Sequence, residues 1–318
     1  MDMTALMERA IANRASDLHL PEGRPPMMRV AAGLSALPTA SLDRSGMHRA
    51  LNIIGWSGDG DGDGAFSWNA SLRCRLHVCR EEAGLHLAIR FLYPLEDLPE
   101  DRDQRLLTRL GKLSSGLVLV SGPTGSGKTT ALWRILHGIN EQRRCHIVTL
   151  EDPIEYVEAG KKALITQREL GRHFPSFQEG IRQALRQDPD VILIGEMRDR
   201  ETMDAALTAA ETGHLVFSTL HTPSAVHTVS RIASAYGADG QDEVRHRLSM
   251  VLQAVLSQRL VVCGDALDVA REILVRTPAV SQLIRSGKEH QLPTVMQTGA
   301  ALGMRTMDQA LIRFAKGG

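Results

Sequence analysis

Neither sign of charge predominates in this sequence. Lysine and arginine together number 37, and aspartate and glutamate also number 37. That balance gives no electrostatic reason to expect a nucleic-acid partner, whose phosphate backbone rewards a basic surplus. Nor does it supply a polybasic anchor for an anionic membrane surface. Cysteine is sparse: Cys74, Cys79, Cys145 and Cys263 form no C-x-x-C pair, which argues against a four-thiolate zinc site. Their scatter fits a reducing compartment. No apolar run reaches about 18 residues, so no transmembrane helix is expected. Residues Met1–Asn13 carry Asp2, Glu8 and Arg9 and lack a continuous apolar core, so a signal peptide is not expected there. Membrane association would then have to come through a partner.

What is present is enough for sizeable cores: 43% of residues are hydrophobic and 23% charged. A length of 318 residues suggests two domains. In the first hundred residues Ser71–Cys79 alternates, with Leu72, Cys74, Leu76 and Val78 on one face and Arg73, Arg75 and His77 on the other. His86–Leu92 repeats the pattern, with Leu87, Ile89 and Phe91 inward and His86 and Arg90 outward. Two such strands predict an antiparallel sheet with one solvated face, whose arginines need do no more than solubilise it. Between Trp56 and Phe66 runs a Gly/Asp tract. Its Asp59, Asp61, Asp63 and Gly64 match the first half of a calcium loop, but the closing Glu is replaced by Ala70, so a flexible hairpin loop is expected. The charged stretch after Pro99 reads as a linker, placing the domains at 1–99 and 100–318.

Beyond the linker, Leu117–Val120, Ile147–Leu150, Val191–Ile194 and Leu215–Leu220 are short apolar runs separated by helical patterns, the signature of a mostly parallel α/β sheet. Ser176 and Glu179 form a capping box ahead of the stripe Phe177, Ile181, Ala184 and Leu185. Glu243–Leu260, free of Gly and Pro, predicts one helix.

The strongest motif is G-x-x-x-x-G-K-[ST] at Gly122–Thr129, between a buried strand and a helical segment. Gly122, Pro123, Thr124, Gly125, Ser126, Gly127, Lys128, Thr129 and Thr130 are therefore the candidate nucleotide-binding residues. The glycines let successive N–H groups face phosphate oxygens, and the following helix adds positive potential. Lys128 would reach the β- and γ-phosphates of ATP, and Thr129 would offer a hydroxyl to Mg²⁺. Hydrolysis also needs a carboxylate. Glu196 ends the strand Val191–Ile194 and is placed to act on Mg²⁺. Glu151, Asp152 and Glu155 follow Ile147–Leu150; Glu155 is the candidate to polarise water, although spacing does not separate it from Glu151. His214 and His221 bracket Leu215–Leu220, and one of them could sense the γ-phosphate. Zinc is disfavoured there for want of further ligands.

These blocks together resemble the secretion ATPase superfamily, and within it the PilT-type retraction ATPases of type IV pili. The likeness rests on the phosphate loop, Ile147–Glu155, Ala184–Asp199, Thr212–Thr222, Ala15–Leu20, and the C-terminal stretches Leu283–Gly299 and Gly303–Leu311. It implies a PAS-like N-terminal α+β domain followed by a RecA-like P-loop ATPase domain, assembled as a homohexamer. It also implies that Glu155 is the catalytic carboxylate, that Glu196 is the second-block glutamate, and that His214 and His221 form the histidine-box pair. Arg75, Arg80 and Arg90 occupy the region that supplies trans-acting arginine fingers. One departure is plain: the family's Ala-Ile-Arg-Asn-Leu-Ile motif reads Ala279-Val-Ser-Gln-Leu-Ile284. The function implied is ATP-driven pilus retraction at the cytoplasmic face of the inner membrane, through a platform partner. A pilus-assembly, type II secretion or competence-type ATPase of the same superfamily, and an ATP-dependent ring scaffold, are the alternatives.

Overall fold

The computed structural model describes residues 3–56, 58, 61–69, 72–263 and 266–315. Asp59, Ala70 and Ser71, which figured in the loop and strand expectations, lie outside them. The chain divides into two compact units, with the break between Pro99 and Glu100.

The first unit contains α1 (Met3–Ala12), β1 (Asp17–Pro21), β2 (Met27–Val30), β3 (Gly33–Ala36), α2 (Arg44–Ile53), β4 (Gly62–Ser67), β5 (Arg73–Glu81) and β6 (Gly84–Leu92). The strands form an antiparallel sheet in the order β3-β2-β1-β6-β5-β4. The period-two pattern does what it predicted. Leu72, Cys74, Leu76, Val78, Leu87, Ile89 and Phe91 join a core with Leu6, Met7, Leu18, Leu20 and Met47, while Arg90 and His77 stay exposed.

The Gly/Asp tract departs from the flexible loop expected of it. From Gly62 onward it is strand β4, because its backbone pairs with β5. Its acids serve that strand: Asp61 Oδ1 accepts from the Arg80 N–H at 2.8 Å, and Asp63 Oδ1 lies 3.2 Å from His77 Nδ1. Among the described residues no group of three or more His, Cys, Asp and Glu could hold a metal ion.

The second unit contains α3 (Gln104–Gly111), β7 (Gly116–Ser121), α4 (Lys128–Gln142), β8 (His146–Glu151), β9 (Leu164–Glu169), α5 (Phe177–Ala184), β10 (Val191–Ile194), α6 (Arg200–Glu211), β11 (Leu215–Leu220), α7 (Ala225–Ser234), α8 (Gln241–Val251), β12 (Leu252–Cys263), β13 (Ala266–Val275), α9 (Pro278–Arg285), α10 (Leu292–Thr298) and α11 (Met307–Ala315). The sheet order is β13-β12-β7-β11-β10-β8-β9, and every pair from β12 to β9 is parallel. The four apolar runs are four of its five interior strands, each buried along its length apart from His146. The helix α5 starts as its sequence indicates, with Ser176 Oγ accepting from the Glu179 N–H.

Two expectations need correction. The helix over Glu243–Leu260 ends at Val251, and Leu252 opens β12. From Leu252 to Ser257 the chain lies in parallel register beside β7 and is mostly buried, so its apolar spacing is that of a two-sided strand. The charged stretch after Pro99 is not a solvated linker. The Asp101 and Asp103 side chains are nearly buried and ion-paired to Arg271 and Arg305.

A candidate nucleotide site on the carboxyl edge of the sheet

Parallel strands deliver their following loops to one edge of the sheet. Here that edge receives the phosphate loop after β7, His221 after β11, Glu196 after β10, and Glu151–Glu155 around the end of β8. The strand directly beside β7 on that side is therefore the histidine strand, and Glu196 stands one strand further out.

The loop itself is shaped by glycine. Gly122 has φ +144°, and a Cβ there would lie 2.3 Å from the Gln258 carbonyl oxygen, so no side chain fits. Gly127, at φ +83°, turns the chain into α4. Behind the loop the Ser126 hydroxyl is buried and has no hydrogen-bond partner among the described residues. The first turn of α4 adds the positive end of a 15-residue helix.

Lys128, 8% exposed, donates to the carbonyl oxygens of Gly122 and Pro123, each at 3.0 Å. Burial lowers its pKa, while the carboxylates of Glu196 and Glu155 oppose that shift. Glu196 is gripped by Arg198, and His221 Nε2 lies 3.6 Å from its other oxygen. Burial and the charge of Lys128 also lower the pKa of His221, favouring neutral imidazole. Thr219 Oγ1 donates to the Gly195 carbonyl at 2.6 Å, and the Met197 N–H donates to the Thr219 carbonyl, which fixes the backbone on either side of Glu196.

The two acids that spacing left unresolved differ in setting. Glu151 is 4% exposed; Thr149 Oγ1 donates to it at 2.7 Å and Gln167 Nε2 at 3.2 Å. Desolvation pushes its pKa up to about 7. Glu155 lies in a partly exposed loop and contributes to the field at Lys128. That loop is held by Glu169 Oε2, which accepts from the Ile154 N–H, and by Gln167, whose Nε2 donates to the Tyr156 carbonyl.

A family model for type II/IV secretion system proteins matches residues 88–312. The chain belongs to that family. In this secretion protein the similarity also extends beyond the matched segment. Type IV pilus retraction ATPase PilT of Pseudomonas aeruginosa is 40% identical over 323 residues, which span 98% of this chain and 93% of that protein. Escherichia coli YggR is 42% identical, spanning 98% and 97% of the two chains. The crystal structure of the pilus retraction motor PilT with bound ADP superposes with a TM-score of 0.84 at 36% identity, covering 100% of this chain and 94% of that one. The architecture is thus that of the secretion ATPases, an N-terminal α+β domain followed by a RecA-like domain.

Not every candidate residue reaches the edge. His214 precedes β11 and sits beside Gly116, at the opposite end of the sheet and roughly 20 Å along the strand from His221. Its Nδ1 is 2.9 Å from the Ala209 carbonyl, at the end of α6. Within this chain it is therefore not a site residue. Arg75, Arg80 and Arg90 belong to the first unit. Arg75 lies directly across from Arg90, and Arg90 across from Asp17, to which its Nε donates at 2.8 Å. Reading the sequence gave no role to Arg198, although it follows Glu196 by two positions.

Replacing Gly122 by Ala is expected to abolish binding of a fluorescent ATP analogue, because the new methyl group meets the Gln258 carbonyl; unchanged titration would contradict this loop geometry. A second expectation concerns pH. The folded-state pKa of Glu151 is raised from 4.5 to about 7, so its contribution to stability is full below pH 4.5 and is lost as pH rises through 7. Glu151→Gln should then be more stable than the parent at pH 8, with the gap closing toward pH 4.5 in urea denaturation.

Proposed function

We propose that this chain is the ATP-hydrolysing subunit of a motor that drives type IV pilus retraction. The observation that carries the reading is the gathering of Lys128, Glu155, Glu196 and His221 at one sheet edge, behind a complete phosphate loop, in a chain that aligns end to end with PilT. Lys128 is already oriented by two carbonyl oxygens and would exchange them for β- and γ-phosphate oxygens. Thr129 and Glu196 would hold Mg²⁺, which would supply positive charge against that of the phosphates. Arg198 and His221 keep Glu196 in place. Glu155, partly exposed, takes the proton of the attacking water, while Glu151, buried and already hydrogen-bonded, supports the loop. His221, favoured as neutral imidazole, can sense the γ-phosphate by hydrogen bonding.

Arg75, Arg80 and Arg90 would act on the site of a neighbouring subunit in a homohexamer. A positive charge added there during the transition state is worth ~10³–10⁵ in rate. Among the described residues no helix is long and apolar enough to cross a membrane. The motor would work at the cytoplasmic face of the inner membrane through a platform protein. In α9 the altered residues are Val280, buried, Ser281, partly buried, and Gln282, exposed; Val280 and Ile284 still anchor the helix in the core. The departure therefore removes one buried methylene, and its polar changes fall on the partly and fully exposed positions.

Glu196→Gln should bind ATP normally and turn it over ~10²-fold or more slowly; an undiminished rate removes Glu196 from the chemistry. Deleting the gene and shearing surface pili tests direction. Excess pili are expected, bald cells would indicate an assembly motor, and a purified protein without turnover would indicate a scaffold.

A further inference from the structure

The phosphate loop has a buried polar support that no sequence motif announces. A loop that turns its N–H groups to a phosphate must turn carbonyl groups the other way. One of these, on Ser126, accepts a hydrogen bond from Gln258 Nε2 at 2.8 Å. Gln258 lies on β12, the strand flanking β7 on the side away from the acids, and is fully buried. A trans peptide is rigid and planar, with C=O and N–H pointing in opposite directions. Pulling the Ser126 oxygen toward Gln258 therefore aims the Gly127 N–H away from it. The Gln258 backbone is equally close, since its carbonyl oxygen is what excludes a Cβ at Gly122.

An amide can turn over, and a turned Gln258 would set oxygen against oxygen. Arg271 prevents this. Its Nε donates to Gln258 Oε1 at 3.1 Å, and a guanidinium has no acceptor to offer the reversed amide. Arg271 is itself 2% exposed, a position no cation holds without counter-charge. Asp101 supplies it through two parallel bonds, one of them Nη2 to Oδ2 at 2.7 Å. Asp103 adds a longer contact at 3.4 Å and also pairs with Arg305. Arg305 Nε in turn donates to the Arg271 carbonyl at 2.8 Å. Asp101 stands two residues after Pro99, where the first unit ends.

We propose that Gln258, oriented by Arg271 and through it by Asp101, is the positioning residue that holds the phosphate loop in its nucleotide-accepting form. Nucleotide affinity thereby depends on the first residues of the second unit. The proposal rests on reading Gly122–Thr129 as the nucleotide cradle.

The test uses the full chain and the fluorescent analogue mant-ATP. Gln258→Met keeps length and packing but removes the donor. It should raise the Kd for mant-ATP, and the KM for ATP, about tenfold, the weight of one buried hydrogen bond, with kcat at saturation changed less than threefold, read on protein that still melts cooperatively. Gln258→Glu keeps a partner for Arg271, and so protects the fold, but sets an oxygen against the Ser126 carbonyl; it should weaken binding at least as much. Asp101→Asn should raise the Kd about threefold alone and add nothing in the Gln258→Met background, since residues acting through one another are not additive. Folded Gln258 variants that bind mant-ATP within twofold of the parent would overturn the relay, as would an Asp101→Asn effect that persists unchanged in the double variant. A parent chain that binds no mant-ATP would overturn the nucleotide reading itself, and the relay with it.

Discussion

A buried ammonium group must find negative charge or carbonyl oxygen close by, or it loses its proton. Lys128 is such a group, and much of the second unit follows from accommodating it. Two loop carbonyls accept hydrogen bonds from it, and two carboxylates in the loops after β10 and β8 supply field. Those carboxylates in turn need restraint, given by Arg198 and His221 on one side and by the hydrogen-bonded loop around Glu155 on the other. The site is thus a cluster in which each charge is held by an opposite charge or a hydrogen bond from a different loop. The parallel sheet is the means: only a fold that sends successive loops to one edge could assemble groups from positions 128, 155, 196 and 221.

The first unit solves a different electrostatic problem. Arg75 and Arg90 face each other across adjacent strands, an arrangement that by itself repels. Asp17, opposite Arg90, and Asp63, 3.7 Å from Arg75, offset it. The two arginines are thereby held in fixed directions on the open face of the sheet.

Much of this was legible because it depends on local spacing. The phosphate loop is a contiguous motif, the interior strands are uninterrupted apolar runs, and the sheet of the first unit alternates with period two. What was illegible depends on partners far along the chain. Asp101 and Asp103 resemble a solvated linker until Arg271, 170 positions later, closes on them. Gln258 sits in a stretch whose apolar residues fit a helical period as well as a two-sided strand, and only pairing with β7 decides between the two. His214 and His221 are alike in chemistry and flank one strand. The direction of that strand in a parallel sheet puts one at the site and the other at the far end.

The quartet of Arg271, Arg305, Asp101 and Asp103 sums to zero charge. Its potential therefore fades over a few ångströms, far faster than that of a lone ion, and little of it reaches the phosphate loop. Whatever passes along it travels as displacement: a shift of the aspartates moves a guanidinium, then an amide, then a peptide plane. Because the arginine at its centre is shut away from solvent, dissolved ions scarcely screen it. The linkage would hold at ionic strengths that dissolve exposed pairs such as Arg102 with Asp268.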